Sequence, residues 1–211
     1  MAKTTPFDAH PDRYDDWFDR YEAAYRSELR AVRSLWPDVD EGVEVGVGTG
    51  RFAAHLGIED GVDPSPEMRK RTRERGIAVQ DGVAEDLPYS DGCFDGVLMT
   101  TTLCYLDDLE AAFSEAFRVL RAGGALLVGF LDRDGPLGHR YEERRDESVF
   151  YKSARFHAAR DVVHLLEESG FEDLQVRQTL FSDPAAMTEP DPVREGSGDG
   201  GFVVLRGTKP N

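Results

Sequence analysis

The chain has 211 residues, with 41 aspartates and glutamates against 25 lysines and arginines and a formal net charge of −16, a balance that repels phosphate backbones and anionic membranes and so argues against nucleic acid or a membrane as partner. Its two cysteines, Cys93 and Cys104, form neither a CxxC pair nor a Cys/His cluster, which argues against a disulfide framework and against any metal site. No run approaches the roughly 20 apolar residues that span a bilayer, and the first residues lack the apolar core of a signal peptide, so a cytoplasmic protein of one α/β domain is expected.

From about Asp12 to Trp36, Tyr14, Trp17, Phe18, Tyr21, Tyr25, Leu29 and Val32 fall at helical spacing, and Pro37 ends the run. One amphipathic helix with an aromatic stripe is predicted. Gly42–Gly46 is a short strand, and a helix opens at Arg51 after a glycine turn. The alternation continues with a strand over 58–63, a helix over 65–75 with Pro66 in its first turn, and a strand near 77–80. Strand 94–100 and helix 107–120 follow, and then the most apolar strand, 125–131 (ALLVGFL).

Beyond a polar stretch carrying Tyr141, Phe150 and Tyr151, a helix over 158–169 and strands 174–180 and 202–206 complete the pattern, with 183–201 predicted as a long loop. Strands alternating with helices call for a largely parallel sheet, with ligands beyond the carboxyl ends of its strands. Just four lysines occur (Lys3, Lys70, Lys152, Lys209), and such an acidic balance suits either an ordinary acidic protein or one working in concentrated salt.

The strongest chemical signal is Glu44-Val45-Gly46-Val47-Gly48-Thr49-Gly50, a strand running into a glycine turn that opens a helix. A dinucleotide fingerprint needs G-x-G-x-x-G, but here the spacing is G-x-G-x-G and Arg51 follows. Glu44 places a carboxylate where a cationic amino group is favoured over a phosphate. Asp63 ends the second strand 19 residues later and offers acceptors for two ribose hydroxyls. It, or Ser65, could instead cap the next helix.

At these residues the chain resembles the class I S-adenosylmethionine-dependent methyltransferases, in particular the type-11 family that includes quinone-biosynthesis enzymes. EVGVGTG (44–50), GVDPSPEM (61–68), GVAEDLP (82–88), FDGVLMTTTLCYLDD (94–108) and LRAGG (120–124) carry the likeness in order. The resemblance implies a seven-stranded, mostly parallel Rossmann-like sheet, helices on both faces and the last strand antiparallel. It also implies one domain over 1–211: a helical lid (1–37), a cofactor half (38–131) and a substrate half (132–211).

By the same likeness Glu44, Gly46, Val47, Gly48 and Gly50 hold the methionine part of S-adenosylmethionine, Asp63 the ribose and the Ala84–Glu85 region the adenine edge, with Met99 and Thr100 on the far wall and Pro64 and Met68 also in contact with the cofactor. Val83 departs from the acidic residue often found near the adenine. Methyl transfer depends mainly on alignment and exclusion of water, so little acid–base machinery is required.

Tyr14, Phe18 and Tyr21 are candidates for a lid or substrate wall, with plain packing as the other reading. Tyr105, His139, Tyr141, Tyr151 and His157 are the candidate bases. The expected product is S-adenosylhomocysteine, the acceptor a small molecule, and the protein a monomer or homodimer. A nicotinamide-dependent oxidoreductase and a non-catalytic cofactor-binding module are the alternatives.

Overall fold

The computed structural model describes residues 4–211. Eight strands form one sheet in the order β3-β2-β1-β4-β5-β8-β6-β7. They are β1 (Gly42–Val45), β2 (Asp60–Val62), β3 (Ala78–Gln80), β4 (Phe94–Thr100), β5 (Leu120–Leu131), β6 (Glu172–Thr179), β7 (Arg194–Glu195) and β8 (Phe202–Thr208). Strands β1 to β5 pair in parallel, and β8 enters antiparallel between β5 and β6.

The architecture is the Rossmann-like one expected. It carries one strand more than the seven expected, because β7 pairs two residues of the predicted 183–201 loop with Arg177 and Gln178 of β6.

The helices are α1 (Thr5–Ala9), α2 (Pro11–Arg20), α3 (Glu22–Leu35), α4 (Arg51–Leu56), α5 (Pro66–Glu74), α6 (Leu109–Val119), α7 (Pro136–Glu143) and α8 (Ala159–Glu168). The predicted 12–36 helix is two helices, broken at Tyr21 (φ −115°, ψ 45°). Aromatic spacing continues through the break, so periodicity conceals it. Helix α7 emerges from the polar stretch: Pro136 occupies its first turn, and Leu137 is the buried anchor of an otherwise largely charged segment.

Alternation along the buried strands feeds two cores. Leu126, Val128 and Phe130 of β5 join Val97, Met99, Val203 and Leu205 under α6 and α8, whereas Leu127 and Leu131 join Leu98, Phe202 and Val204 under α3 and α4. Strand order reverses between β1 and β4, so the crevice at their carboxyl ends is the natural ligand position. Helices α1 and α2 lie across that crevice, held by Asp12 to Arg71, by Asp15 to Arg51 (3.0 Å) and Arg75 (2.8 Å), and by Asp19 to Arg51 (2.7 Å).

Candidate active site

A cavity of about 910 Å³ opens at the carboxyl ends of β1, β2, β4 and β5 and runs beneath α2. This volume is near the top of the roughly 300–1,000 Å³ usual for ligand pockets, so two small molecules fit side by side.

The glycine turn forms the floor. Gly46 (φ +70°) and Gly48 (φ +56°) adopt left-handed backbone. A Cβ on Gly46 would collide with the Thr102 side chain, and one on Gly48 would begin 3.2 Å from the Tyr14 hydroxyl. The bare backbone is what the turn presents to the cavity. Tyr14 covers part of this floor, and the remainder stays open.

Asp63, 6% exposed, aims at the same turn: Oδ2 accepts the Gly48 N–H (2.9 Å) and Oδ1 the Ser65 N–H (2.8 Å). Each oxygen keeps acceptor capacity for a ligand hydroxyl. Burial pushes its carboxyl up to about 6, and the two N–H bonds pull the other way. Ser65 performs the capping that Asp63 would otherwise serve, its Oγ accepting the Met68 N–H at 3.2 Å and donating to Asp8 of α1 at 2.5 Å.

Glu44 does not line the cavity. It is 2% exposed, and its Oε2 accepts the Ala53 N–H at 2.9 Å. Gly50, the residue before α4, has no side chain with which to cap that helix, and Glu44 supplies the acceptor from the strand. Burial pushes its carboxyl up to about 8 despite the Ala53 N–H. In the structure the Glu44 carboxyl supports the turn from below.

Val47 and Met99 also face the cores, and Gly50 packs against Ile77 and Thr72. Gly46, Gly48, Asp63, Pro64, Met68, Ala84, Glu85 and Thr100 do line the cavity. Glu85 additionally accepts the Asp107 N–H (3.0 Å), tying this wall to the segment leading into α6. The Thr100 hydroxyl is buried on the cavity wall, beside the Glu44 carboxyl.

Tyr14, Phe18 and Tyr21 all line the cavity from α2 and its end. Phe7 of α1, which sequence reasoning missed, stacks edge-on with Tyr105 at 5.0 Å and with Tyr14 at 5.5 Å.

Of the candidate bases, Tyr105, Tyr141 and Tyr151 reach the cavity. Burial raises the phenols of Tyr105 and Tyr151 well above the usual range and that of Tyr141 to about 12, so at neutral pH they are hydrogen-bond donors and not bases. His139 is exposed and outside the cavity, and His157 lines a separate small void behind it. Burial, then the nearby Arg155 and Arg133, lower the His157 imidazole. The sequence also left unremarked Glu28 of α3, a buried carboxyl on the cavity wall.

A doubly wound sheet whose first glycine turn is faced by an acid from the second strand defines a nucleoside-binding α/β enzyme. Arg51 stands where a dinucleotide fingerprint would place a third glycine, and its guanidinium is committed to Asp15 and Asp19. The family model described as a methyltransferase domain matches residues 43–128.

A crystal structure of a SAM-dependent methyltransferase from Thermotoga maritima, described as a possible histamine N-methyltransferase, is 48% identical with a TM-score of 0.95, covering 98% of this chain and 99% of that one. An uncharacterised protein of Methanocaldococcus jannaschii is 42% identical over 203 residues, 96% of this chain and 98% of that protein. The chloroplastic 2-methyl-6-phytyl-1,4-hydroquinone methyltransferase 2 of Oryza sativa is 38% identical over 100 residues, 41% of this chain and 28% of that protein. The chain belongs to the S-adenosylmethionine-dependent methyltransferases.

Proposed function

We propose that the protein transfers a methyl group from S-adenosylmethionine to a small molecule held in the same cavity, by in-line displacement. The observation that carries this reading is Asp63 bonded to Gly48 at a glycine turn that lines the cavity, which has space for a second ligand. S-adenosylmethionine, when bound, supplies an electrophilic methyl group on a sulfonium sulfur.

In this reading Asp63 accepts the ribose hydroxyls, and the Gly46–Gly48 backbone and the Thr100 hydroxyl take the amino-acid tail. Met68, Ala84 and the Glu85 region border the base. Glu44 acts one layer below, holding α4 so that the turn keeps its shape. Helices α1 and α2 serve as a lid whose Tyr14 and Phe18 exclude water, which suits a reaction governed by alignment. The chain works as one domain.

A small acceptor is supported by the enclosed aromatic cavity and by the net charge of −16, which disfavours nucleic acid. From the Thermotoga maritima relative we carry over only that the acceptor is a small molecule. Parallel calorimetric titrations with S-adenosylhomocysteine and NADH test the cofactor side. Binding of the first and not the second is expected, and the reverse would overturn the proposal.

A further inference from the structure

The cavity holds a second buried acid to which the cofactor reading gives no role. Glu28 sits on α3, the helix packed against β5, β6 and β8. Asp63 follows β2. Three strand spacings of about 4.8 Å separate β2 from β5, so the two acids stand over different halves of the sheet, roughly 14 Å apart laterally. Glu28 is 3% exposed and lines the cavity, yet it makes no hydrogen bond or ion pair with any described residue.

The phenols of Tyr14, Tyr25, Tyr141 and Tyr151 lie close enough to feel its charge, and apolar Leu131 and Leu180 line the same cavity. The nearby cations are committed elsewhere: Arg140 to Asp183 at 2.7 Å and Arg144 to Glu147 at 2.7 Å. Arg13 and Arg20 lie exposed on the rim.

An unpaired buried carboxyl costs stability, and a leucine at this helix position would avoid the penalty. Protein supplies no countercharge, so the cavity is built for one that arrives with the ligand. Phenol rings around a lone acid are surroundings that favour a small organic cation.

Resting on the methyl-transfer reading above, we infer that Glu28 binds the nitrogen of a basic amine acceptor and takes a proton from it, making the protein an amine N-methyltransferase. An alkylammonium has no free electron pair and would be repelled by a sulfonium in the same enclosure. Transfer of one proton from the ammonium to the Glu28 carboxylate removes both obstacles. The nitrogen electron pair then forms the N–C bond as the C–S bond breaks and its electrons return to sulfur. The products are a methylated ammonium ion and a neutral thioether, and Glu28 returns its proton to water as the product leaves. Burial alone holds the Glu28 carboxyl at about 8 in the empty site, so near neutral pH it becomes the accepting carboxylate as the incoming ammonium displaces its proton to water.

The test uses three probes of closely similar shape and different charge, 3-phenylpropan-1-amine, 3-phenylpropan-1-ol and 3-phenylpropanoate, titrated into the whole protein saturated with S-adenosylhomocysteine. The amine should bind best, and Glu28→Gln should weaken it by roughly thirty-fold or more, the lower range for losing one partner of a buried charge pair. That variant should leave S-adenosylhomocysteine affinity and binding of the alcohol unchanged.

Equal or tighter binding of the alcohol or the carboxylate to wild-type protein would overturn the inference without any variant. So would undiminished amine binding by Glu28→Gln. Failure of S-adenosylhomocysteine itself to bind would instead overturn the cofactor reading beneath it.

Discussion

The two ends of the cavity are built in different ways. At the β1–β2 end, ligand-facing groups come largely from backbone: a turn with left-handed Gly46 and Gly48, whose N–H is bonded to Asp63, and Glu44 capping α4 beneath. At the α3–α7 end they are side chains from segments far apart in sequence, with Glu28 facing Tyr141, Tyr151 and Leu180. A backbone site suits an invariant ligand such as a shared cofactor, because its shape follows from a few consecutive residues. A side-chain site is free to differ between relatives of one fold, which is where acceptor choice belongs.

The largest effect that would sharpen this contrast is expected at the turn. Gly46→Val places a branched side chain at φ +70° and drives it into Thr102. S-adenosylhomocysteine affinity should fall by roughly ten- to a hundred-fold from strain and obstruction, with the far-ultraviolet circular dichroism unchanged. Unaltered affinity would break the account of the floor.

Next comes the clamp that joins both ends under α2. Arg51→Ala removes three bonds from Asp15 and those to Asp19, leaving the Asp15 carboxylate with Thr49 and Arg75. A loss of about 1–3 kcal/mol is expected, read as a fall of several degrees in thermal midpoint and as faster proteolysis between Pro11 and Tyr21. Burial works against ionised Asp15, but Arg51, Thr49 and Arg75 hold its carboxyl well below the usual range. Its contribution is present above the unfolded value of about 3.9 and is lost as pH falls through the lower folded value. The clamp should thus loosen only in strong acid.

A smaller effect distinguishes the acids at the two ends by their response to base. Burial raises Glu28 and Glu44 to about 8 from an unfolded value of about 4.3. Between those values the folded chain binds more protons than the unfolded one, so stability declines as pH rises. The thermal midpoint should fall by a few degrees from pH 5.5 to 8.5. Glu28→Gln should flatten part of that slope and leave the part due to Glu44. A slope identical to wild type would show that Glu28 is not buried and unpaired as described.

The same division governs what could be read from the sequence. The β1 turn, Asp63 and the helix after it lie within about 30 residues, and their chemistry is written in local spacing, so the sheet and the cofactor end were legible. Glu44 was visible as a residue but not as a cap, because only the folded turn brings its carboxyl to Ala53 N–H. The break at Tyr21 was hidden by aromatic spacing that continues across it, and α7 by its charged surface. Glu28 falls between apolar helix positions like any solvated glutamate. Its burial depends on β5, β6 and β8 arriving beneath α3 from more than 90 residues away, and a buried acid inside the aromatic stripe was the one signal that closer reading of the periodicity offered.

Calorimetric titration of S-adenosylhomocysteine into wild-type protein and Asp63→Ala, each checked for retained fold, bears most directly on the whole account. The wild type should bind, and loss of the acid that grips both Gly48 and the sugar should weaken binding by roughly ten- to a hundred-fold. Equal affinity in the two proteins, or none in the wild type, would contradict the placement of the nucleoside at Asp63.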